Sequence, residues 1–177
     1  MTEPLKVLFV CTANICRSPF AELYVSARAT TLGREILTDS AGIHGYPQAP
    51  VDSHMARELA ARGVESADFS SKALRREHVE WADLIVTMEN AHRTFLIEDY
   101  PRVARRIVTL GQLVNRAGEL GVSGTDLVAG LARRPGLTKD SDDVSDPFRR
   151  GAEAAARCAD RLTGLLDTAL PYLAPPA

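Results

Sequence analysis

Near its start, this chain contains three residues that could together form a reactive site: Cys11, Arg17 and Ser18. They lie at the two ends of the segment Cys-Thr-Ala-Asn-Ile-Cys-Arg-Ser, in which Cys11 is the first residue and Arg17 and Ser18 are the last two. Residues 5–10 before it form an apolar run, and Ser18-Pro19 has the sequence of a helix start, with Ser18 as the N-cap and Pro19 at the first helical position. We therefore expect a short buried strand, a tight loop and a helix that begins near Ser18.

This arrangement favours a nucleophile that faces a bound anion. A loop that ends at a helix N-terminus offers free backbone N–H groups and the positive end of the helix dipole. Cysteine thiols in such settings ionise more readily than usual, which makes them nucleophiles. The guanidinium of Arg17 has a planar fork of donors that matches two oxygens of a phosphate. We therefore interpret Cys11 as a nucleophile that attacks a phosphomonoester, and Arg17 as the residue that binds the phosphate oxygens.

The remaining loop residues would complete a cradle around the phosphate. Ser18 is suited to hydrogen-bond the thiolate, and Asn14 tolerates the left-handed backbone angles of a tight turn. In addition to Ser18, the loop residues that we expect to surround the phosphate are Thr12, Ala13, Asn14, Ile15 and Cys16.

The two further cysteines have different interpretations. Cys16 is either a packing residue or the partner of Cys11 in a reversible disulfide, which would protect the nucleophile from irreversible oxidation and would need a thiol reductant. Cys158 lies in the middle of the last predicted helix and is interpreted as a packing residue. No second pair of Cys or His residues has the spacing of a metal site, so we expect neither a metal nor a cofactor.

A phosphomonoester also needs an acid that protonates the departing oxygen, and the polar segment 139–146 supplies the candidates. Asp146 alone precedes a proline, and Pro147 restricts its backbone to an extended conformation that aims the side chain reproducibly. We therefore predict that Asp146 is the general acid. For any single aspartate of this segment, the alternative is a solvated acidic loop. The other candidates are Asp140, Asp142 and Asp143.

Composition limits the class of protein. A hydrophobic content of 45% and a charged content of 25% are typical of a globular domain, and 177 residues suffice for one such domain. The net charge of −2 gives no general attraction to nucleic acid. No apolar run approaches the ~20 residues of a membrane span, and the first residues lack a secretory signal. We therefore expect a cytoplasmic protein with no nucleic-acid partner and no membrane partner.

Apolar strand-like runs alternate with helical segments along the chain. The predicted strands are residues 5–10, 35–40, 82–88 and 106–110, and the main predicted helices are 18–33, 52–62, 90–98 and 152–170. This alternation predicts a single-domain, doubly wound α/β fold (flavodoxin-like), with a four-stranded parallel sheet and helices on both faces. In such sheets ligands bind beyond the strand C-termini, where the Cys11 loop falls.

The loop sequence resembles that of a known family. Val-Cys-Thr-Ala-Asn-Ile-Cys-Arg-Ser-Pro at 10–19 is similar to the motif Val-Cys-x-x-Asn-x-Cys-Arg-Ser-Pro of the low-molecular-weight protein tyrosine phosphatases. Ser40-Ala41-Gly42 followed by Tyr46, and Asp146-Pro147, resemble two further segments of that family. The resemblance extends over nearly the whole chain, so it implies a single phosphatase domain at 1–177.

The family resemblance also implies a mechanism and a substrate class. Cys11 would form a phosphocysteine, with Asp146 first as acid and then as activator of water. Tyr46 would form one wall of the substrate cleft. The substrate would be a phosphotyrosine protein or a small phosphorylated molecule.

The chain departs from the family pattern at several points. Ile43 stands where the family has threonine, and the residues after Asp146-Pro147 are Phe148-Arg149-Arg150 rather than an aromatic pair. Phe148 would retain one aromatic wall. The two arginines are either a solvated helix start or a sign that the substrate carries additional negative charge, with Arg149 at the cleft. Residues 115–142 are longer than usual, and we interpret them as an insertion.

Two other activities on the same scaffold remain as alternatives. A thiol-linked arsenate reductase would use the same loop, but it would need downstream cysteines for a disulfide relay, and none lies between Cys16 and Cys158. A phosphatase for small metabolites would need no such relay. A non-catalytic phosphate-binding module is disfavoured because it would need neither Cys11 nor Asp146.

Overall fold

A parallel sheet of four strands lies at the centre of the computed structural model, which describes residues 3–46, 48–134 and 136–176. The order of the strands across the sheet is β2-β1-β3-β4, and every neighbouring pair is parallel. The first strand is therefore central, and the loop after it leaves the middle of the sheet. The strands β1 to β4 are Leu5–Cys11, Ile36–Gly42, Leu84–Thr87 and Ile107–Thr109.

Helices cover both faces of the sheet because parallel strands need crossover connections. In chain order they are α1 Arg17–Thr31, α2 Ser53–Ala61, α3 Arg76–Trp81, α4 Asn90–Asp99, α5 Leu110–Leu120, α6 Gly124–Arg133 and α7 Gly151–Leu173. Helices α3 and α4 pack on one face, and the other five pack on the opposite face. None of the described helices combines the length and apolar character that a membrane-spanning helix requires.

The residues of β1 alternate between the two hydrophobic cores. Val7 and Phe9 face the core beneath α1 and α7, whereas Leu8 and Val10 face the core beneath α3 and α4. All four side chains are completely buried. The continuous apolar run in the sequence thus reflects burial on both faces of a central parallel strand.

The predicted four-stranded parallel sheet with helices on both faces is confirmed, and two local predictions need correction. Helix α1 begins at Arg17, with Cys16 at its N-cap, so Ser18 is not the cap. The Ser18 hydroxyl instead contacts Cys11 and accepts a hydrogen bond from Asn14. Helix α7 continues through Pro171 to Leu173.

The segment 115–142 is largely helical, because it contains the end of α5 and the whole of α6. Leu127 and Leu131 of α6 are completely buried in the core beneath α7. The segment is therefore part of the domain core, while its interpretation as an insertion stays a prediction.

Candidate active site

The loop between β1 and α1 is held in shape by Asn14, which is completely buried and has a left-handed backbone with φ 58°. Its side-chain amide donates to the hydroxyls of Ser18 (2.9 Å) and Ser40 (2.8 Å). Its carbonyl oxygen accepts from the backbone N–H of Lys72 at 2.8 Å. An asparagine suits this position because it tolerates the left-handed angles and offers both donors and an acceptor.

The end of β2 packs closely against the same loop. A Cβ atom added to Gly42 would lie 2.6 Å from the backbone carbonyl carbon of Ala13, so no side chain fits there. The backbone N–H of Ile43 donates to the carbonyl of Cys11 at 3.0 Å, and that of His44 donates to the carbonyl of Thr12 at 2.9 Å. The segment that leads to Tyr46 is therefore tied to the loop by backbone contacts.

Cys11 is the last residue of β1, and its thiol lies at the base of the loop. The Sγ atom is 3.0 Å from the hydroxyl oxygen of Ser18, in the first turn of α1. The N-cap residue Cys16 makes no side-chain capping bond. The backbone N–H groups at the start of α1 are therefore available to an anion bound above the thiol.

Arg17 is almost completely buried, at 1% exposure, and is held by three oxygen-bearing partners. Its Nη1 atom donates to the carboxylate of Glu89 and to the carbonyl of Val144, the latter at 2.8 Å. Its Nη2 atom lies 3.2 Å from Oδ2 of Asp146. Burial alone would lower the pKa of Arg17, but the negative charges of Cys11, Asp146 and Glu89 outweigh it and raise the pKa. The guanidinium is therefore a permanent cation.

The contacts of the acidic segment distinguish its aspartates. The carboxylate of Asp143 accepts from the backbone N–H of Asn90 at 2.7 Å, and Asp142 accepts from Lys139 and Asn115. Asp146 instead pairs with Arg17, and its other oxygen accepts from the backbone N–H of Phe148 at 3.1 Å. Its side chain is 39% exposed, so a substrate can reach it from solvent.

His92 belongs to the site, although the sequence analysis did not select it. Its Nε2 atom lies 2.9 Å from the hydroxyl of Thr12, and its Nδ1 atom has no hydrogen-bond partner in the described part of the chain. Burial, and secondarily the charge of Arg17, lowers the pKa of His92 to about 4. The imidazole next to the loop is therefore neutral at physiological pH.

Glu89 was also not selected from the sequence, and it lies between the buried side chains of Arg17 and His92. It contacts Arg17, and its second oxygen is 3.6 Å from Nε2 of His92. Its position two residues after β3 was a usable signal, since ligands bind beyond strand C-termini in such sheets.

All three cysteines are buried free thiols. Burial is the main factor that raises the pKa of Cys16 far above its usual value, with the negative charge of Asp52 as the next contribution. Burial also raises the pKa of Cys158, to about 12. The Cys11–Cys16 disulfide stays a prediction.

Aromatic and cationic side chains lie on the segments that border the loop. Tyr46 is 59% exposed and Phe148 is 39% exposed. The guanidinium of Arg149 stacks over the Phe148 ring, with 5.0 Å between its carbon and the ring centroid. Among the residues described, no three His, Cys, Asp or Glu side chains are grouped as metal ligands.

A model of the family described as low molecular weight phosphotyrosine protein phosphatase matches residues 6–124. This chain belongs to that family. The predicted enzyme class, a cysteine-dependent phosphoric monoester hydrolase, is thereby confirmed. Membership implies a phosphorylated protein as substrate.

Relatives of this phosphatase carry two different names. A protein-arginine-phosphatase from Geobacillus stearothermophilus is 30% identical over 164 residues, covering 93% of each chain. A low molecular weight protein-tyrosine-phosphatase from Streptomyces coelicolor is 30% identical over 170 residues, covering 91% of each chain. The crystal structure of a low molecular weight protein tyrosine phosphatase from T. tengcongensis matches with a TM-score of 0.75 and 32% identity, covering 93% of this chain and 96% of that one. This chain therefore shares its doubly wound fold with that phosphatase.

Proposed function

We propose that this phosphatase hydrolyses phosphotyrosine in proteins, with Cys11 as nucleophile, Arg17 as phosphate-binding residue and Asp146 as general acid. The observation that carries the proposal is the contact of Arg17 with Asp146 beside the Cys11 loop. A phosphate bound to the loop N–H groups and to Arg17 would thus meet the thiol on one side and the carboxyl group on the other.

The first step transfers the phosphoryl group to the enzyme. The Cys11 thiolate gives its electron pair to phosphorus, and the bond from phosphorus to the tyrosyl oxygen breaks. Protonated Asp146 passes its proton to that oxygen, so that a neutral phenol leaves. Arg17 and the backbone N–H groups of the loop stabilise the charge on the equatorial oxygens.

The second step regenerates the enzyme. The Asp146 carboxylate removes a proton from water, whose oxygen bonds to phosphorus while the bond from sulfur to phosphorus breaks. The electron pair returns to the Cys11 sulfur, which the Ser18 hydroxyl at 3.0 Å can stabilise as a thiolate. The product is inorganic phosphate.

Two exposed aromatic side chains support an aromatic leaving group. Tyr46 follows a segment whose backbone is bonded to the loop, and Phe148 follows the predicted acid by two residues. Aromatic rings at the edge of a site favour contact with another planar ring. This favours phosphotyrosine over an aliphatic phosphorylated residue.

Phosphoarginine is the second candidate substrate, because the relative from Geobacillus stearothermophilus is named a protein-arginine-phosphatase. A comparison of matched peptides with phosphotyrosine or phosphoarginine at the same position discriminates the two. We expect kcat/KM to be at least about tenfold higher for phosphotyrosine, a difference of ~1.4 kcal/mol in transition-state binding. A higher kcat/KM for the phosphoarginine peptide would instead identify the enzyme as an arginine phosphatase.

The nucleophile is tested with Cys11→Ser, which should abolish turnover of either peptide while phosphate binding remains. Cys158→Ala, which removes a buried thiol of α7, is the matched control and should retain activity. Turnover by Cys11→Ser would contradict the phosphocysteine mechanism. Adding small phosphorylated metabolites and arsenate to the substrate panel tests the two activities that the sequence left open.

The remaining sequence-based expectations are part of the same proposal. The chain forms a single phosphatase domain, with an insertion at 115–142. The three free thiols suit a reducing compartment, so we place the enzyme in the cytoplasm. There a thiol reductant would reopen a Cys11–Cys16 disulfide, and mass spectrometry of peroxide-treated protein would detect that bond.

A further inference from the structure

Arg149 has a backbone conformation that an arginine rarely adopts. Its φ is 58°, and the backbone N–H of Arg150 donates to the carbonyl of Pro147 at 3.0 Å, which closes a tight turn over Phe148 and Arg149. Glycine and asparagine are the residues favoured where such a turn requires a positive φ. The side chain of Arg149 therefore stands at a position where the backbone alone would favour glycine.

The turn directs this side chain over an aromatic ring beside the predicted acid. The guanidinium of Arg149 stacks on the Phe148 ring at 5.0 Å, and the N–H of Phe148 is bonded to Asp146. A stacked guanidinium keeps the donors at its edge free for an anion. No carboxylate of the described residues lies within 4.0 Å of Arg149, so its charge is not neutralised locally.

Arg149 differs from the cation inside the site, Arg17, in having no carboxylate partner among the described residues. The buried cation of the loop, Arg17, already contacts two carboxylates, those of Glu89 and Asp146. A second negative group on the substrate would therefore find no free cation inside the loop. Arg149 offers a guanidinium without an ion pair to any described residue, three residues after the Asp146 that contacts Arg17.

We propose that Arg149, stacked on Phe148, binds a carboxylate next to the phosphorylated residue, so that the enzyme prefers phosphotyrosine with acidic neighbours in the sequence. This inference rests on the proposed tyrosine phosphatase function. The bidentate geometry of a guanidinium matches a Glu or Asp side chain of the substrate. An exposed ion pair between Arg149 and such a carboxylate would raise kcat/KM about two- to fivefold over that for a neutral peptide. Added salt would reduce this preference.

The test uses two phosphotyrosine peptides that differ only in having Glu or Gln on both sides of the phosphotyrosine. The full-length enzyme should hydrolyse the Glu peptide with a kcat/KM about two- to fivefold higher at low salt, mainly through KM. Arg149→Asn removes the charge but keeps a residue that tolerates the turn, and it should make the two peptides equivalent. Arg149→Lys keeps the charge without the planar stack, so it should retain only part of the preference.

The matched control is Arg102→Asn, which removes the same charge from the short segment before the N-terminal end of β4, whereas the Cys11 loop follows the C-terminal end of the parallel strand β1. It should keep the preference of the unmodified enzyme. A preference that survives Arg149→Asn, or that Arg102→Asn also abolishes, would overturn the inference. Hydrolysis of both peptides at equal rates would overturn it while leaving the tyrosine phosphatase function intact. Failure to hydrolyse either peptide would overturn both.

Discussion

Nη2 of Arg17 lies 3.2 Å from Oδ2 of Asp146, so the predicted phosphate-binding residue and the predicted acid form an ion pair. The pair joins the first turn of α1 to a residue more than a hundred positions later in the chain. A phosphate dianion that binds Arg17 must compete with this carboxylate. Protonation of Asp146 would favour phosphate binding and would also prepare the acid for the first step.

The first prediction concerns Asp146→Asn, which keeps the size of the side chain but removes its charge and its acidity. We expect kcat for aryl phosphates with poor leaving groups to fall by about 10²–10⁴. For activated leaving groups the loss should be smaller, because their departure needs little protonation. Kinetics with a series of aryl phosphates of graded leaving-group acidity measure this dependence.

The same variant should bind inorganic phosphate more tightly, because Arg17 loses a competing anion. We expect the competitive inhibition constant of inorganic phosphate to fall by up to about fivefold. This change corresponds to the ~1 kcal/mol of a partly exposed ion pair such as Arg17–Asp146. Asp140→Asn is the control, since Asp140 is exposed and belongs to the same acidic segment. An equal loss of kcat across all leaving groups, with unchanged inhibition by phosphate, would remove Asp146 from both roles.

The second prediction concerns Asn14, whose side chain makes three hydrogen bonds beneath the loop. Both Asn14→Gly and Asn14→Ala lose these bonds, at about 1 kcal/mol each. The alanine variant also forces a Cβ-bearing residue into the left-handed region, which costs about 1–2 kcal/mol more. We therefore expect urea unfolding to rank the original chain above the glycine variant, and the glycine variant above the alanine variant. An alanine variant as stable as the glycine variant would show that the loop relaxes to a negative φ.

The sequence predicted the central strand and the fold class because each depends on local patterns. The unbroken apolar run of β1 indicates burial on both faces, and the alternation of strands with helices indicates a parallel sheet. The left-handed turn at Asn14 was likewise readable from residue type.

For other parts of the site, the sequence could suggest a position, as for Glu89 just after β3, but not the contacts that distant residues make with one another. Glu89 reaches Arg17 across 72 positions, and His92 reaches Thr12 across 80. No spacing rule connects such pairs, because the order of the strands in the sheet brings them together. Ser18 was misassigned as a helix cap for a related reason, since its hydroxyl is directed to the Cys11 thiol by the folded loop.

The third prediction concerns Gly42→Ala. The new methyl group would lie 2.6 Å from the Ala13 carbonyl carbon, which is backbone and cannot move without shifting the loop. We therefore expect a large loss of kcat/KM, together with weaker inhibition by inorganic phosphate. Gly164→Ala is the matched control, because a Cβ at Gly164 of α7 meets no atom within 4 Å.

The control should be slightly more stable than the original chain, by about 0.5–1 kcal/mol, because alanine favours a helix interior. Its activity should be unchanged. Full activity in Gly42→Ala would mean that the loop can withdraw from β2 and still bind phosphate.

The fourth prediction concerns the pH dependence of stability. The pKa of His92 is about 4 in the folded protein, below the value of 6.5 from which burial lowers it. Well above pH 6.5 the imidazole is neutral in both states, and its titration has no effect on stability. As the pH falls from 6.5 towards 4, the unfolded chain takes up a proton that the folded protein excludes, so the free energy of unfolding decreases.

Replacing His92 with glutamine removes this titration and keeps an amide near the Thr12 hydroxyl. As the pH falls, the free energy of unfolding of the original chain should therefore decrease relative to that of His92→Gln. Relative to neutral pH, this change should be on the order of 3 kcal/mol at pH 4 and below. Urea unfolding of both proteins at a series of pH values measures this difference, in which the titration of all other groups largely cancels. If the free energies of unfolding of the two proteins changed in parallel with pH, the imidazole would take up protons equally well in the folded protein. The conclusion that His92 contacts Thr12 as a neutral imidazole would then be wrong.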